Sequence, residues 1–142
     1  LEANELIRLD KIVDAYNLCK IATDYLVVEG VGGWRAPLSA SDSVADLATI
    51  LGLPVILVVG VKLGCINHAV LTAEAIKASG LRFLGWVANV LDPLMHDPGG
   101  NISYLESKIQ SPLLLRCEFS GDTNGDIESM DNLVKQVLKA AE

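Results

Sequence analysis

Apolar positions recur at helical spacing from the first residues of the chain. Between Glu2 and Thr23 they fall at Leu6, Leu9, Val13, Tyr16 and Cys19, with Leu18 and Ile21 widening the face, and predict an amphipathic helix. The period then changes. Tyr25–Val28 is a short run of aromatic and branched residues that predicts a strand, closed by Glu29 and a glycine turn at Gly30, Gly32 and Gly33. Arg35–Ser41, which includes Pro37, reads as loop. Ser43 is placed to cap a helix running through Leu51, with Asp46 in its first turn and Gly52 as its stop.

Leu53–Val59 (LPVILVV) is the most hydrophobic segment and holds no polar residue, the pattern of a strand buried on both faces. Gly60–Gly64 predicts a turn, Asn67–Ser79 a helix ended by Gly80, and Leu84–Val90 (LGWVANV) another buried strand. Beyond Asp92 the text is loop-like through Asp97-Pro98-Gly99-Gly100, with a short helix over Ile102–Ile109. A last strand is expected within Pro112–Phe119, then a turn over Gly121–Gly125 and a closing helix over Ile127–Ala141. Buried strands separated by helices predict an α/β fold: a mostly parallel sheet with helices on both faces and right-handed crossovers. No internal repeat or linker interrupts the pattern, so residues 1–142 read as a single α/β domain. The chain opens at Leu1 inside a helical pattern, and the domain is therefore expected to be incomplete at its amino terminus.

Composition narrows the function. A chain of 142 residues that is 51% apolar and 20% charged can bury a sizeable core. Its net charge of −7 argues against a general nucleic-acid-binding surface. No apolar run approaches the roughly 18 residues of a bilayer span, and no signal-peptide pattern opens the chain, so no membrane partner is expected. Cys19, Cys65 and Cys117 have no C-x-x-C spacing, which suggests reduced thiols in a cytoplasmic protein rather than a disulfide frame or a zinc site. Asn101-Ile-Ser103 matches the glycosylation triplet and is read as a chance match in that setting.

Parallel sheets gather ligands beyond the carboxyl ends of their strands, and three loops lie there. Glu29, at the end of an apolar run beside a glycine turn, fits a Mg²⁺ ligand and equally fits a capping acid in a tight turn. In GVKLGCINH (Gly60–His68), the N–H groups of Gly64, Cys65, Ile66 and Asn67 would face an anion if the helix starts at Ile66 or Asn67. An ordinary strand-to-helix turn with a solvated Lys62 is the other reading. Asn89 has the donors and acceptor to read a heterocycle edge, or to cap the next turn. Cys65 reads as a small packing residue, and His68 and His96 as structural or exposed. A phosphate cradle of the form G-x-x-x-x-G-K-[ST] does not occur in these residues.

Taken together, YLVVEGVGGW (Tyr25–Trp34), PVILVVGVKLGCINHAVLTAEAI (Pro54–Ile76) and GWVANV (Gly85–Val90) resemble the dethiobiotin synthetases in content and order. The likeness is strong over Asp24–Asn89 and loose over Pro93–Glu142. It implies a P-loop NTPase-like fold that works as a cytoplasmic homodimer. The implied reaction belongs to biotin biosynthesis: ATP- and Mg²⁺-dependent ring closure of 7,8-diaminopelargonic acid with carbon dioxide. By the same resemblance Glu29 would hold Mg²⁺, with Glu29, Gly30, Val31 and Gly32 along the nucleotide phosphates and Asn89 at the adenine. Gly64, Cys65, Ile66 and Asn67 would meet the substrate carboxylate across the dimer interface, and Tyr104 would be an interface tyrosine.

The family's phosphate loop, catalytic lysine and second metal-binding aspartate belong upstream of the matched region. No catalytic residue is therefore expected in this chain, and alone it should be inactive. Two local departures stand out: Val90 where the family usually has an acid, and Pro112-Leu-Leu-Leu-Arg-Cys-Glu118 where it reads close to P-L-L-G-E-I-P. The alternative is a non-catalytic homologue acting as a ligand-binding or partner subunit.

Overall fold

The computed structural model describes residues 7–119 and, within 131–139, all but 133 and 136. It resolves into two compact units, Leu1–Leu53 and Pro54–Glu142.

In the first unit the helical pattern becomes α1 (Leu9–Ile21), opened by Arg8 and carrying no buried residue. Tyr25–Val28 departs from expectation. It forms no strand, and Tyr25 and Val27 are 68% and 89% exposed. A run of β-formers becomes a strand only when a neighbour completes its hydrogen-bond ladder, and among the described residues none pairs with it. The helix expected after Ser43 is α2 (Val44–Leu51), which ends at Gly52 in the left-handed region with φ 63°. At its start the Ser43 amide and hydroxyl both donate to Asp46 Oδ2, at 2.7 and 2.5 Å. The preceding loop is fastened to this same turn: Val44 N–H donates to the Ala36 carbonyl and Ala45 N–H to the Trp34 carbonyl, each at 2.9 Å.

The second unit is a parallel sheet. β1 (Val55–Val61), β2 (Phe83–Val90) and β3 (Leu113–Cys117) lie in the order β1–β2–β3. The crossovers are α3 (Cys65–Ala78) and α4 (Pro98–Lys108). Residues paired across a parallel ladder point to the same side of the sheet. Val59 pairs with Ala88 and Val61 with Val90, so these four, with Trp86, form one apolar face. Cys65, Ala69 and Ala73 of α3 and Ile102 and Leu105 of α4 close over that face and complete the core. The small side chains of α3 recur every fourth residue, which brings its backbone close to the sheet and leaves room for Trp86, itself fully buried.

The structure departs from the sequence reading at several points. Gly60 and Val61 belong to β1, and the turn shortens to Lys62–Gly64. Helix α3 begins at Cys65, two residues early. Asp97-Pro98-Gly99-Gly100 is the start of α4 rather than a loop: Asp97 Oδ1 accepts the Gly100 N–H at 2.8 Å and Pro98 fills the first helical position, where no N–H is needed. Finally, β1 is not buried on both faces. Val58 is 62% exposed, because β1 is the edge of the described sheet and α3 and α4 both cover the opposite face. The turn expected at Gly121–Gly125 lies outside the described residues, while those described within 131–139 are helical.

Two outcomes follow from this packing. Trp86→Ala should lower the unfolding free energy by about 3–5 kcal/mol, read from urea denaturation; a loss under about 1 kcal/mol would contradict its place in the core. The two Ser43 donors hold the Asp46 carboxyl below the usual carboxylate range, first through the hydroxyl and then through the amide. A depressed folded pKa adds stability above the unfolded value, near about 3.9, that is lost as pH falls through the lower folded value. Asp46→Asn should therefore be less stable than the wild type at pH 6, and the two should converge on acidification; a gap that persists at pH 2 would refute the linkage.

Candidate functional site

Parallel connection brings the carboxyl ends of β1, β2 and β3 to one edge of the sheet, where Gly60, Asn89 and Cys117 stand in one register row. Asn89 occupies the middle strand and is half-buried. Its backbone is held by ladders on both sides, yet its carboxamide has no hydrogen-bond partner among the described residues. On one flank Gly60 has no side chain, and Leu91 fills the space: a Cβ built on Gly60 would lie 2.5 Å from Leu91 Cδ1. On the other flank burial pushes the Cys117 thiol up, which disfavours its thiolate.

The turn after β1 follows from one backbone constraint. Gly64 sits at φ 88° as the cap residue of α3, a conformation that strains any residue with a Cβ. The Cys65 N–H is taken by the Lys62 carbonyl at 3.0 Å, which leaves Ile66 and Asn67 as first-turn donors with no acceptor in the helix. Cys65 is buried in the core, so only its backbone belongs to the turn. Ile66 is half-buried, while Asn67, Lys62 and His68 are exposed, as is Leu63 at 95%. The sequence reading of Cys65 as a packing residue therefore holds. Tyr104, on the exposed side of α4, has Lys108 Nζ 5.4 Å from its ring centroid, a cation–π contact within its own helix.

Glu29, Gly30, Val31 and Gly32 belong to the first unit and are all exposed. The glycines answer two different demands. A Cβ on Gly30 would lie 2.7 Å from Val44 Cγ1, so Gly30 is cleared for the first residue of α2. Gly32 and Gly33 sit at φ 83° and 101°, and the space above Gly33 is open. No three His, Cys, Asp or Glu side chains converge to hold a metal ion among the described residues. Mg²⁺ is usually held by one or two carboxylates together with waters and substrate phosphates, and Glu29, exposed beside the glycine turn, has the donor chemistry of such a ligand.

Sequence reasoning missed Leu91 and Val44, the side chains that rest on Gly60 and Gly30. A signal was present for the first: a glycine inside a strand run often marks close approach.

A family model described as an AAA domain matches residues 2–125. An ATP-dependent dethiobiotin synthetase from Ralstonia nicotianae is 52% identical over 112 residues, 79% of this chain and 49% of the relative. Counterparts from Xanthomonas axonopodis pv. citri and Pseudomonas paraeruginosa are 50% and 51% identical, over 78% and 68% of this chain and 50% and 42% of their own lengths. The chain spans about half the length of the curated relatives it matches. These findings bear out the resemblance carried by the Tyr25–Trp34, Pro54–Ile76 and Gly85–Val90 blocks.

The exposures order the thiols. Iodoacetamide at neutral pH should label exposed Cys19 first, Cys117 slowly and buried Cys65 only on unfolding, read by peptide mass spectrometry. Fast labelling of Cys65 in the folded chain would show that it is not a packing residue. Gly64→Ala should cost about 1–2 kcal/mol in the same denaturation assay, through its positive φ alone.

Proposed function

This chain belongs to the AAA domain family, and from that premise we propose that it serves as part of an ATP- and Mg²⁺-dependent dethiobiotin synthetase. The reaction closes a ureido ring on 7,8-diaminopelargonic acid with carbon dioxide. One observation carries the reading: within the sequence block that the resemblance rests on, a left-handed Gly64 opens α3 just past the carboxyl end of β1 and leaves unused first-turn amides there.

In this reading the first turn of α3 receives the substrate carboxylate. Ile66 and Asn67 N–H groups donate to it, and the positive end of a fourteen-residue helix favours its charge. Gly64 and Cys65 contribute backbone shape, with Cys65 anchoring the turn to the core. Asn89 reads the edge of the nucleotide base with its carboxamide, which has no hydrogen-bond partner among the described residues. Glu29, Gly30, Val31 and Gly32 would run along the phosphates, and Glu29 would give Mg²⁺ a carboxylate oxygen, the ion helping to neutralise phosphate charge. ATP supplies the phosphoryl group that activates the carbamate; the residues described here bind and orient, and none of them moves a proton. Tyr104 lies at the interface of a cytoplasmic homodimer.

Calorimetry with 7,8-diaminopelargonic acid and its methyl ester tests the carboxylate site. The free acid should bind and the ester should lose most of that affinity, because charge and acceptor oxygens at the helix end are removed together. Equal binding of acid and ester would exclude the α3 turn as the carboxylate site. The 142-residue chain alone should fix no labelled carbon dioxide into product with ATP and Mg²⁺ present, and measurable turnover would overturn its inactivity. Carboxylate binding that does not distinguish diaminopelargonate from other dicarboxylate-like acids would favour the ligand-binding subunit instead.

A further inference from the structure

The carboxyl edge of the sheet holds one contact that the proposed function does not use. Leu91 continues the ladder past β2, its N–H donating to the Val61 carbonyl at 3.3 Å. It lies two residues beyond Asn89 and so on the same face of the sheet, opposite to the face closed by α3 and α4. From there its side chain leans over Gly60, Asn89's register partner, with Cδ1 2.5 Å and Cγ 3.5 Å from where a Cβ would be. The core explains none of this, since Leu91 is 47% exposed and is absent from the buried cluster.

We propose that Leu91, seated on the bare backbone of Gly60, is the apolar wall against which a planar heterocyclic base lies when its edge bonds to Asn89. Gly60 sets the depth of that wall and thereby the size of base admitted. The inference rests on the base-reading role of Asn89. A planar base needs an apolar surface along its face beside polar groups at its edge, and this face supplies one of each: the Leu91 methyls, and a carboxamide with no partner among the described residues. Adding a methyl at Gly60 must displace Leu91, because the obstructing atom is the free end of a half-exposed side chain while the backbone is held by the ladder. The change is therefore felt in the site before it is felt in stability.

The test is NMR titration of the intact 142-residue chain with adenosine and with cytidine, following the Asn89 side-chain amide and the Leu91 methyls. Both signals should move with adenosine. Leu91→Ala should weaken adenosine about tenfold, the scale of a lost apolar contact in a pocket, and shift the adenosine-to-cytidine affinity ratio. Gly60→Ala should shift the same ratio while the unfolding midpoint stays close to the wild type. Asn89→Ala should abolish the response. If adenosine binds through Asn89 and neither Leu91→Ala nor Gly60→Ala changes the ratio, the wall is wrong and the base-reading role survives; weaker binding with an unchanged ratio counts the same way. If the wild-type Asn89 amide does not respond to either nucleoside, the role assigned to Asn89 fails, and the wall with it.

Discussion

The parallel ladder through β2 is the constraint on which the second unit depends. A parallel pair cannot be joined by a tight turn, so each strand must be followed by a crossover. Here those crossovers are α3 and α4, and both come down on the face made by Val59, Val61, Trp86, Ala88 and Val90. The same geometry sends every strand's carboxyl end to one edge. Gly60, Asn89 and Cys117 are neighbours there although they are distant in sequence. Core and candidate site are thus two consequences of one hydrogen-bonding pattern.

Small residues do much of the positioning, each for its own reason. Cys65, Ala69 and Ala73 let α3 approach the sheet closely enough for a tryptophan to fill the remainder. Gly64 is required by its positive φ, Gly60 by the side chain of Leu91 and Gly30 by that of Val44. In a glycine-rich stretch a ligand is one explanation for an absent Cβ, and a neighbouring side chain is another. Gly30 shows the second cause, whereas Gly33 has open space above it.

The second unit's edge combines oriented backbone N–H groups and a carboxamide with the exposed Lys62 and the Arg116–Glu118 ion pair. Burial pushes the Cys117 thiol up, and Asn89 offers a carboxamide. The first turn of α3 adds oriented N–H groups with Lys62 exposed beside it. In the proposed reading this edge binds and orients a carboxylate and a base.

Much of this was legible in the chain itself. The fold class, β2, the body of α3 and the Ser43–Leu51 helix with its Asp46 and Gly52 signals follow from periodicity and end chemistry, because those interactions are local. The family was legible too, through a long block whose residues are held by a turn and a helix start that sequence neighbours build together. Tertiary structure alone decided the rest. Tyr25–Val28 has the residues of a strand and no partner in the described structure, since strand formation depends on a neighbour that composition cannot supply. Whether β1 is central or at an edge, and which side chain rests on Gly60, are likewise settled by contacts between segments about thirty residues apart. Local sequence determines what each segment is able to become; only the packing of distant segments determines which of its faces is covered and which is left for a ligand.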